Sequence, residues 1–188
     1  DSHLHLGYWV DHSGNTRGAY LGSGFDLKSN AYGAIRAGQG LYVSSHPTSV
    51  KQPMDVRQAS SQLVNAESVI EALSDASTAH RAESLKDGYD ALKAFADATQ
   101  KSVAGDAMGA GRTAGGGTGD ANGFAEPIML MASPSGIGLS TQQSTQIVAD
   151  KHVNMVSGGG THIASGKSLI ASIGERLSLF VQNAGMKF

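Results

Sequence analysis

The chain has 188 residues and a formal net charge of −2, which suits one domain or two small ones. The near-neutral charge argues against nucleic-acid binding through a basic surface, and the absence of cysteine excludes disulfides, thiolate metal sites and a cysteine nucleophile. No apolar run approaches the roughly 18 residues of a membrane-spanning helix, and 25 glycines are too many for a helical bundle.

Residues 1–53 are predicted to be a β segment. Short apolar or aromatic alternations occur over 3–10 and 40–44, and Gly, Asn and Ser punctuate them. Alternation of this kind with turn residues is typical of strands joined by tight turns.

Residues 54–104 are predicted to be a helical insertion. Asp55 and Gln58 resemble a capping box, and apolar or small residues follow at a spacing of three or four. Gly88 and the polar stretch 84–87 indicate a break, so we expect two antiparallel helices, with one long helix as the alternative. The stripe is diluted by Ala and Ser, so the helices are expected to pack on something else. Its larger side chains are candidates for partner binding: Leu63, Ile70, Leu73, Tyr89, Leu92 and Phe95.

A Gly-rich flexible loop is predicted over 105–123, and an internal repeat over 124–188. Residues 136–183 divide into six lines of eight. The second and fourth residues of each line are apolar or Thr, and the line ends in a corner of Gly or a polar residue able to take a positive φ. The seventh position of successive lines holds Gln142, Asp150, Gly158, Gly166, Gly174 and Gln182.

Three such lines enclose a triangular section with a continuous apolar core. They come either from one chain winding as a solenoid or from three identical chains that intertwine. Six lines make only two turns of a single-chain prism, so the trimer is favoured. The fold class is therefore mainly β, a trimeric intertwined triangular β-prism with octapeptide-like repeats. Its predicted core-lining residues are Ile35, Leu41, Val43, Ile128, Leu130, Ile137, Leu139, Ile147, Val153, Met155, Ile163, Leu169, Ala171, Leu177, Leu179 and Val181.

Residues 35–43 fit the same scheme, so the helical block is interpreted as an insertion that leaves the prism after Val43 and returns at Ile128. We expect this insertion to project from the prism and to offer the best surface for partners, either bracing the prism or holding another protein. Met129 and Met131 face opposite to Leu130, and we expect the helices to bury them; a docking groove for a cargo protein is the alternative.

Three long strings resemble the VgrG spike proteins of type VI secretion systems. Residues 24–45, Gly-Phe-Asp-Leu-Lys-Ser-Asn-Ala-Tyr-Gly-Ala-Ile-Arg-Ala-Gly-Gln-Gly-Leu-Tyr-Val-Ser-Ser, resemble the part that follows the phage-spike-like core. Residues 127–139 and 166–187 resemble the C-terminal β extension, and the helical segment opening at Met54 resembles the family's insertion. The family's core domains are absent and the pattern is cut short at Phe188, so we expect a fragment of a longer protein.

The resemblance implies a homotrimeric spike segment of a bacterial contractile injection machine. Such a segment extends a membrane-puncturing shaft, presents a surface for an effector or adaptor, needs no cofactor and performs no catalysis. The Hcp tube and the PAAR-repeat tip protein are implied as partners of other parts of the full-length chain. Assembly in the bacterial cytoplasm and secretion by contractile injection into a target cell are implied as well.

Catalytic and metal-binding signals are weak. No G-x-S-x-G motif occurs, and Asp150 and Glu175 are the only carboxylates from 127 onward. His3 and His5 share one face of a strand, and six such imidazoles from three chains form a low-ranking candidate for an axial metal site. Two alternatives stay open: a polysaccharide-acting enzyme on a single-chain β-solenoid, and a phage tail spike of the same shape.

Overall fold

The computed structural model describes residues 2–12, 15–48, 54–103 and 121–185. The chain divides into two units, Asp1–Ala37 and Gly38–Phe188.

The first unit is an antiparallel β-hairpin. Strand β1 (Ser2–Val10) pairs with β2 (Tyr20–Ser29), with Ser2 opposite Ser29 and a register shift between Trp9 and Val10. Large apolar side chains alternate on both strands but stay exposed. A two-stranded ribbon has no second layer against which to bury them, so this hairpin exposes an apolar surface.

The second unit is organised around a short parallel pair of strands. Strand β3 (Leu41–Ser44) lies beside β6 (Met129–Ala132), with Leu41 opposite Met129. The Leu41 N–H donates to the Ile128 carbonyl at 2.9 Å, which extends the pairing by one residue. The chain therefore leaves and re-enters one sheet at neighbouring strands, as the interpretation of the helical block as an insertion requires.

Two helices lie between these strands, which confirms the two-helix prediction. Helix α1 (Arg57–Ala79) contains no Gly or Pro, and α2 (Lys86–Ala98) contains four Ala, both of which favour helix. The Leu85 N–H of the connecting turn donates to the Ser74 hydroxyl, and the Thr99 hydroxyl lies 2.8 Å from that of Ser60. The later residue of α1, Ser74, contacts the start of α2, and the earlier residue, Ser60, contacts its end, so the helices are antiparallel.

The turn between the helices lies at 80–85, earlier than predicted. Arg81 has a φ of +59°, the Arg81 N–H donates to the Thr78 carbonyl, and the Ala82 N–H donates to the Ser77 carbonyl. These two hydrogen bonds form a Schellman motif, which ends α1 without glycine. Gly88 was predicted to mark the break but lies inside α2.

The predicted capping box at the start of α1 is wrong. The residue preceding the helix is Val56, which makes no side-chain cap. Asp55 instead accepts hydrogen bonds from the Arg57 backbone N–H at 3.3 Å and from Arg57 Nε at 2.8 Å. The carboxylate satisfies the first turn from one residue outside the capping position, and Gln58 is not part of the arrangement.

A second small sheet follows the helices. Strand β4 (Lys101–Val103) pairs antiparallel with β5 (Ala121–Gly123), with Val103 opposite Ala121. The predicted flexible loop at 105–123 falls outside the described residues, except for its last three residues, which are strand β5 rather than loop.

The core of the second unit lies between α1 and the β3–β6 sheet. Val56, Ala59, Phe124, Leu130 and Ala132 are buried together there, and the half-buried Tyr42, Met54, Leu63, Phe95 and Ile128 pack around them. Met129 and Met131 lie on the opposite face of β6, 64% and 48% exposed. The expectation that the helices bury these methionines is therefore wrong, because Leu130 and Ala132 occupy the helix-facing side.

Residues 133–185 form no strand within the single chain. The backbone bends sharply at 134–135, 142–143, 150–151, 158–159, 166–167, 174–175 and 182–184, which is every eighth residue. The glycines at these bends, Gly158, Gly166 and Gly174, do not have the positive φ that we expected for corners. Gln142, Asp150 and Gln182 occupy equivalent bends, so the corner conformation is one that ordinary residues adopt.

Candidate functional site: an apolar extended segment and the helices beside it

Residues 133–185, called here the extended segment, expose most of their large apolar side chains to water. Fourteen large apolar residues lie in it with exposures of 37–87%. Eleven of the fourteen occupy even positions of the eight-residue lines, and three occupy odd positions. Because neighbouring residues of an extended chain point to opposite sides, one side of the segment is apolar and unpaired within the single chain.

The predicted core-lining residues take two different positions. Those in the extended segment are exposed, from Val181 at 45% to Leu139 and Leu169 at 74%. Val43 is also exposed, on the side of β3 away from the helices, whereas Leu130 is buried beneath the helices. The sheet formed by β3 and β6 thus has apolar residues on both faces, with the helices on one face, and among the described residues no segment covers Val43, Met129 and Met131 on the other.

The helices, called here the helical hairpin, contact the extended segment at mid-length. The Asn154 side-chain amide donates to the Gly88 carbonyl at 3.3 Å. A Cβ at Gly88 would lie 3.1 Å from Asn154 Oδ1 and 3.4 Å from Ile70 Cδ1, so the absent side chain permits this approach. A cavity of about 380 Å³ lies between the two elements and is lined by Ile70, Leu73, Ser84, Leu85, Asp87, Gly88, Val153, Asn154, Met155 and Val156.

The turn of the helical hairpin makes a second set of contacts further along the segment. Arg176 donates to the Glu83 carboxylate in an ion pair. The rings of His80 and Phe180 lie with their centroids 5.7 Å apart and tilted by 31°. Phe180 is the least exposed of the fourteen exposed apolar side chains at 37%, so the ring contact covers part of it.

The segment residues in these contacts, Asn154, Arg176 and Phe180, all occupy odd positions of their lines. The helical hairpin therefore lies against the side of the segment opposite to the apolar even positions. In the single chain the hairpin runs alongside the segment. Of the two roles expected of the insertion, bracing the shaft agrees with these contacts, and projection from a trimeric shaft stays a prediction.

The six candidates for partner binding are mostly engaged within the chain. Ile70 is buried, Leu63 and Phe95 pack around the core, and Tyr89 and Leu92 are half-buried. Only Leu73 is exposed, at 49%, and it lines the cavity beside the extended segment. The apolar stripe therefore packs against this chain's own strands, and little of it is left for another protein.

The candidate metal ligands are close together, but they do not form a site within one chain. The rings of His3 and His5 are 4.5 Å apart, and His3 Nε2 lies 3.7 Å from Asp26 Oδ2. Among the described residues no group of three or more His, Cys, Asp or Glu is arranged to hold a metal ion. A site on a threefold axis requires other chains and stays a prediction.

Charged residues fix the helical hairpin at its base and along its length. The Arg57 guanidinium hydrogen-bonds the Asp55 carboxylate and lowers the pKa of that carboxyl below its ordinary value. Lys93 lies 3.6 Å from Asp97 and 3.4 Å from Glu67 of α1, and these carboxylates raise the pKa of its ammonium group. Lys93 thus links the two helices from the side exposed to water.

Two family models and two curated proteins are similar to this chain. Residues 1–77 match the family of type VI secretion system Rhs elements named Vgr, and residues 116–188 match DUF2345, described as uncharacterized proteins conserved in bacteria. The spike proteins VgrG2b and VgrG2a of Pseudomonas aeruginosa are each 27% identical over 188 residues, 99% of the chain. The chain is thus similar to the VgrG spike proteins over nearly its whole length. It spans 17% of the length of VgrG2b and 21% of that of VgrG2a.

Two solved structures share the fold of this chain. The VgrG spike from the type 6 secretion system superposes with a TM-score of 0.75 at 24% identity, over 98% of this chain and 61% of the other. A structure of the Tle1 effector bound to the VgrG spike gives 0.74 at 24% identity, over 98% and 49%. Among the residues described for the present chain, neither helix has the length and hydropathy needed to cross a membrane.

The residues by which this chain holds its helices against the extended segment were missed by sequence reasoning. Their signal is a departure from the repeat. Arg176 is the only arginine and Phe180 the only aromatic residue between 133 and 185, and both occupy odd positions that elsewhere hold smaller residues or His152. Nothing comparable marks Glu83, which is one acidic residue among many on the insertion.

Proposed function

We propose that three copies of this chain intertwine into a triangular β-prism that extends the shaft of a type VI secretion spike. One observation carries the proposal: the extended segment bends every eighth residue, presents eleven large apolar side chains at even positions, and has no strand partner within its own chain. Burying one such side chain contributes about 1.5–3 kcal/mol, so the segment has a strong tendency to associate.

The absence of strand-to-strand hydrogen bonds in the described part of the extended segment favours three chains over one. In a single-chain solenoid each line pairs with the lines three before and three after it, so the hydrogen bonds would form within one chain. In an intertwined trimer every line of the segment pairs with other chains. The extended segment of the single chain, described over 133–185, forms no such ladder, which supports the trimer and counts against an enzyme on a solenoid.

In the spike, the prism would act mechanically. Its chains can part only if many strands separate together, which predicts high kinetic stability during penetration of an envelope. The similarity to VgrG spike proteins supports delivery by contractile injection, and we propose the Hcp tube and PAAR-repeat tip protein as partners of other parts of a longer chain. The similar VgrG spike with bound Tle1 supports an effector or adaptor as a partner, with no catalysis in this segment.

Sedimentation equilibrium of the purified chain tests the proposal. The expected mass is three times the 19.3 kDa of one chain, independent of loading concentration in the micromolar range. A concentration-independent mass of one chain would overturn the trimer. Far-UV circular dichroism of the same sample should show more β-structure than the 33 strand residues of the single chain supply.

A further inference from the structure

A repeat of eight residues leaves the relative position of the three chains ambiguous. In the proposed prism each chain moves to the next face at every corner, so each line pairs with the next line of a neighbouring chain. Sliding one chain by a whole line returns every even-position apolar residue to an even position. The apolar pattern, which normally fixes register, therefore cannot distinguish the correct trimer from one displaced by a line.

The contacts of the helical hairpin are not repeated along the segment. One line before Arg176 the same position holds Ser168, and one line before Phe180 it holds Ser172. If the segment were displaced by one line past its own helical hairpin, a serine would lie opposite Glu83, and both the ion pair and the ring contact would be lost. The side that faces the helices thus carries positional information that the apolar side lacks.

We propose that the helical hairpin sets the register of the prism by holding each chain's lines at fixed positions before the chains pair. This inference rests on the proposed trimer. At one end the hairpin is anchored to the β3–β6 sheet through the core around Val56 and Leu130. At the other end it holds Arg176 and Phe180, and it touches Asn154 in between.

The distance between the two ends is set by regular helix. Helix α1 has 23 residues and is therefore about 35 Å long at 1.5 Å per residue. The Schellman turn fixes the direction in which the chain reverses, and the close approach at Gly88 fixes the lateral position of the segment. When three chains each hold their extended segment at this fixed distance, equivalent lines lie at the same level along the prism axis. Pairings displaced by a line then become rare.

Cysteine cross-linking reads the register directly, because the chain has no cysteine of its own. Neighbouring strands lie about 4.8 Å apart, within the Cα separation of about 4.4–6.8 Å that a disulfide bridges. In correct register residue 164 lies beside residue 172 of the neighbouring chain, so Ala164→Cys with Ser172→Cys forms covalent trimers. Displacement by one line in either direction brings two copies of residue 164 together, so Ala164→Cys alone forms covalent dimers.

The register reporters are compared in variants of the hairpin contact. Glu83→Arg places two cations together, and the exchange Glu83→Arg with Arg176→Glu restores an ion pair of reversed polarity. Asp150→Arg makes the same change of charge at a corner and serves as the matched control. Adding His80→Ala to Glu83→Arg removes the ring contact as well.

The expected result is that Ala164→Cys dimers increase at least about fivefold with Glu83→Arg, increase further with His80→Ala, and return to the starting value in the charge exchange. Sedimentation should give the mass of three chains throughout. If the variant with both Glu83→Arg and His80→Ala is trimeric and its dimer yield is unchanged, the register role is overturned and the proposed trimer is unaffected. The same conclusion follows if this variant alone fails to assemble. A single-chain mass for the parent protein overturns the proposed trimer itself, and the register role with it.

Discussion

Gly40 is the position where adding one methyl group is expected to do the most damage. It has a φ of +117°, and a Cβ built there would lie 2.4 Å from Phe124 Cδ2 and 2.9 Å from the Ile128 carbonyl oxygen. That carbonyl accepts the hydrogen bond from the Leu41 N–H. Gly40→Ala must therefore strain the backbone, displace a core ring or weaken the pairing of β3 with β6.

The cost follows from these contacts. A strained backbone costs about 1–3 kcal/mol and overpacking a core about 1–3 kcal/mol. We expect a total of about 2–4 kcal/mol, because a shift of Phe124 relieves part of both. Since 1.4 kcal/mol corresponds to about tenfold in an equilibrium constant, protection of β3, β6 and the start of α1 against hydrogen exchange should fall roughly 30- to 1,000-fold.

Peptide-resolved hydrogen exchange measures this, with Gly38→Ala as the matched control. A Cβ at Gly38 meets no atom within 4 Å, so that variant should exchange like the parent protein. Equal exchange in the two variants would refute the packing of Phe124 against Gly40. A loss of protection confined to the β1–β2 hairpin would refute it as well, because that hairpin belongs to the other unit.

Three further substitutions test separate parts of the structure. Leu139→Asp puts a charge at an even position and should give single chains in sedimentation, whereas Ser140→Asp at the neighbouring odd position should remain trimeric. Arg81→Gly should relieve the left-handed backbone and stabilise the helical hairpin by about 1 kcal/mol in thermal unfolding followed by circular dichroism. Asp55→Asn should cost about 1 kcal/mol at pH 7, measured by exchange in the first turn of α1. The lowered pKa of Asp55 stabilises the fold above the unfolded pKa of about 3.9 and loses that effect as pH falls through the folded value, so the two proteins should converge near pH 2.

The stripe on the helices was predictable because its period is a local property of the sequence. Val56, Ala59 and Ile70 were all assigned to it and are all buried. What the stripe packs against was not predictable, since Gly88 and its partner Asn154 are 66 residues apart. An exposed, partner-binding role was therefore assigned to side chains that pack within the chain.

Two local features escaped prediction for different reasons. Strands β4 and β5 have three residues each, which is too short for an alternation of apolar and polar residues to be recognised. The turn at Arg81 uses a left-handed residue where glycine is usual, so the search for a break settled on Gly88 instead. Bends recur in the extended segment every eighth residue, at the spacing of the sequence repeat, whereas the strands of the proposed prism would depend on neighbouring chains that a single sequence does not represent.

The pairing of Val103 with Ala121 has a practical consequence for protein engineering. Residues paired across antiparallel strands have Cα atoms about 4.5–5.5 Å apart, so the residues that flank 104–120 lie next to each other. A foreign domain whose own termini are adjacent could replace residues 104–120 without displacing α2 or Phe124. The chain thus offers a ready point for genetic fusion of a payload or a fluorescent reporter.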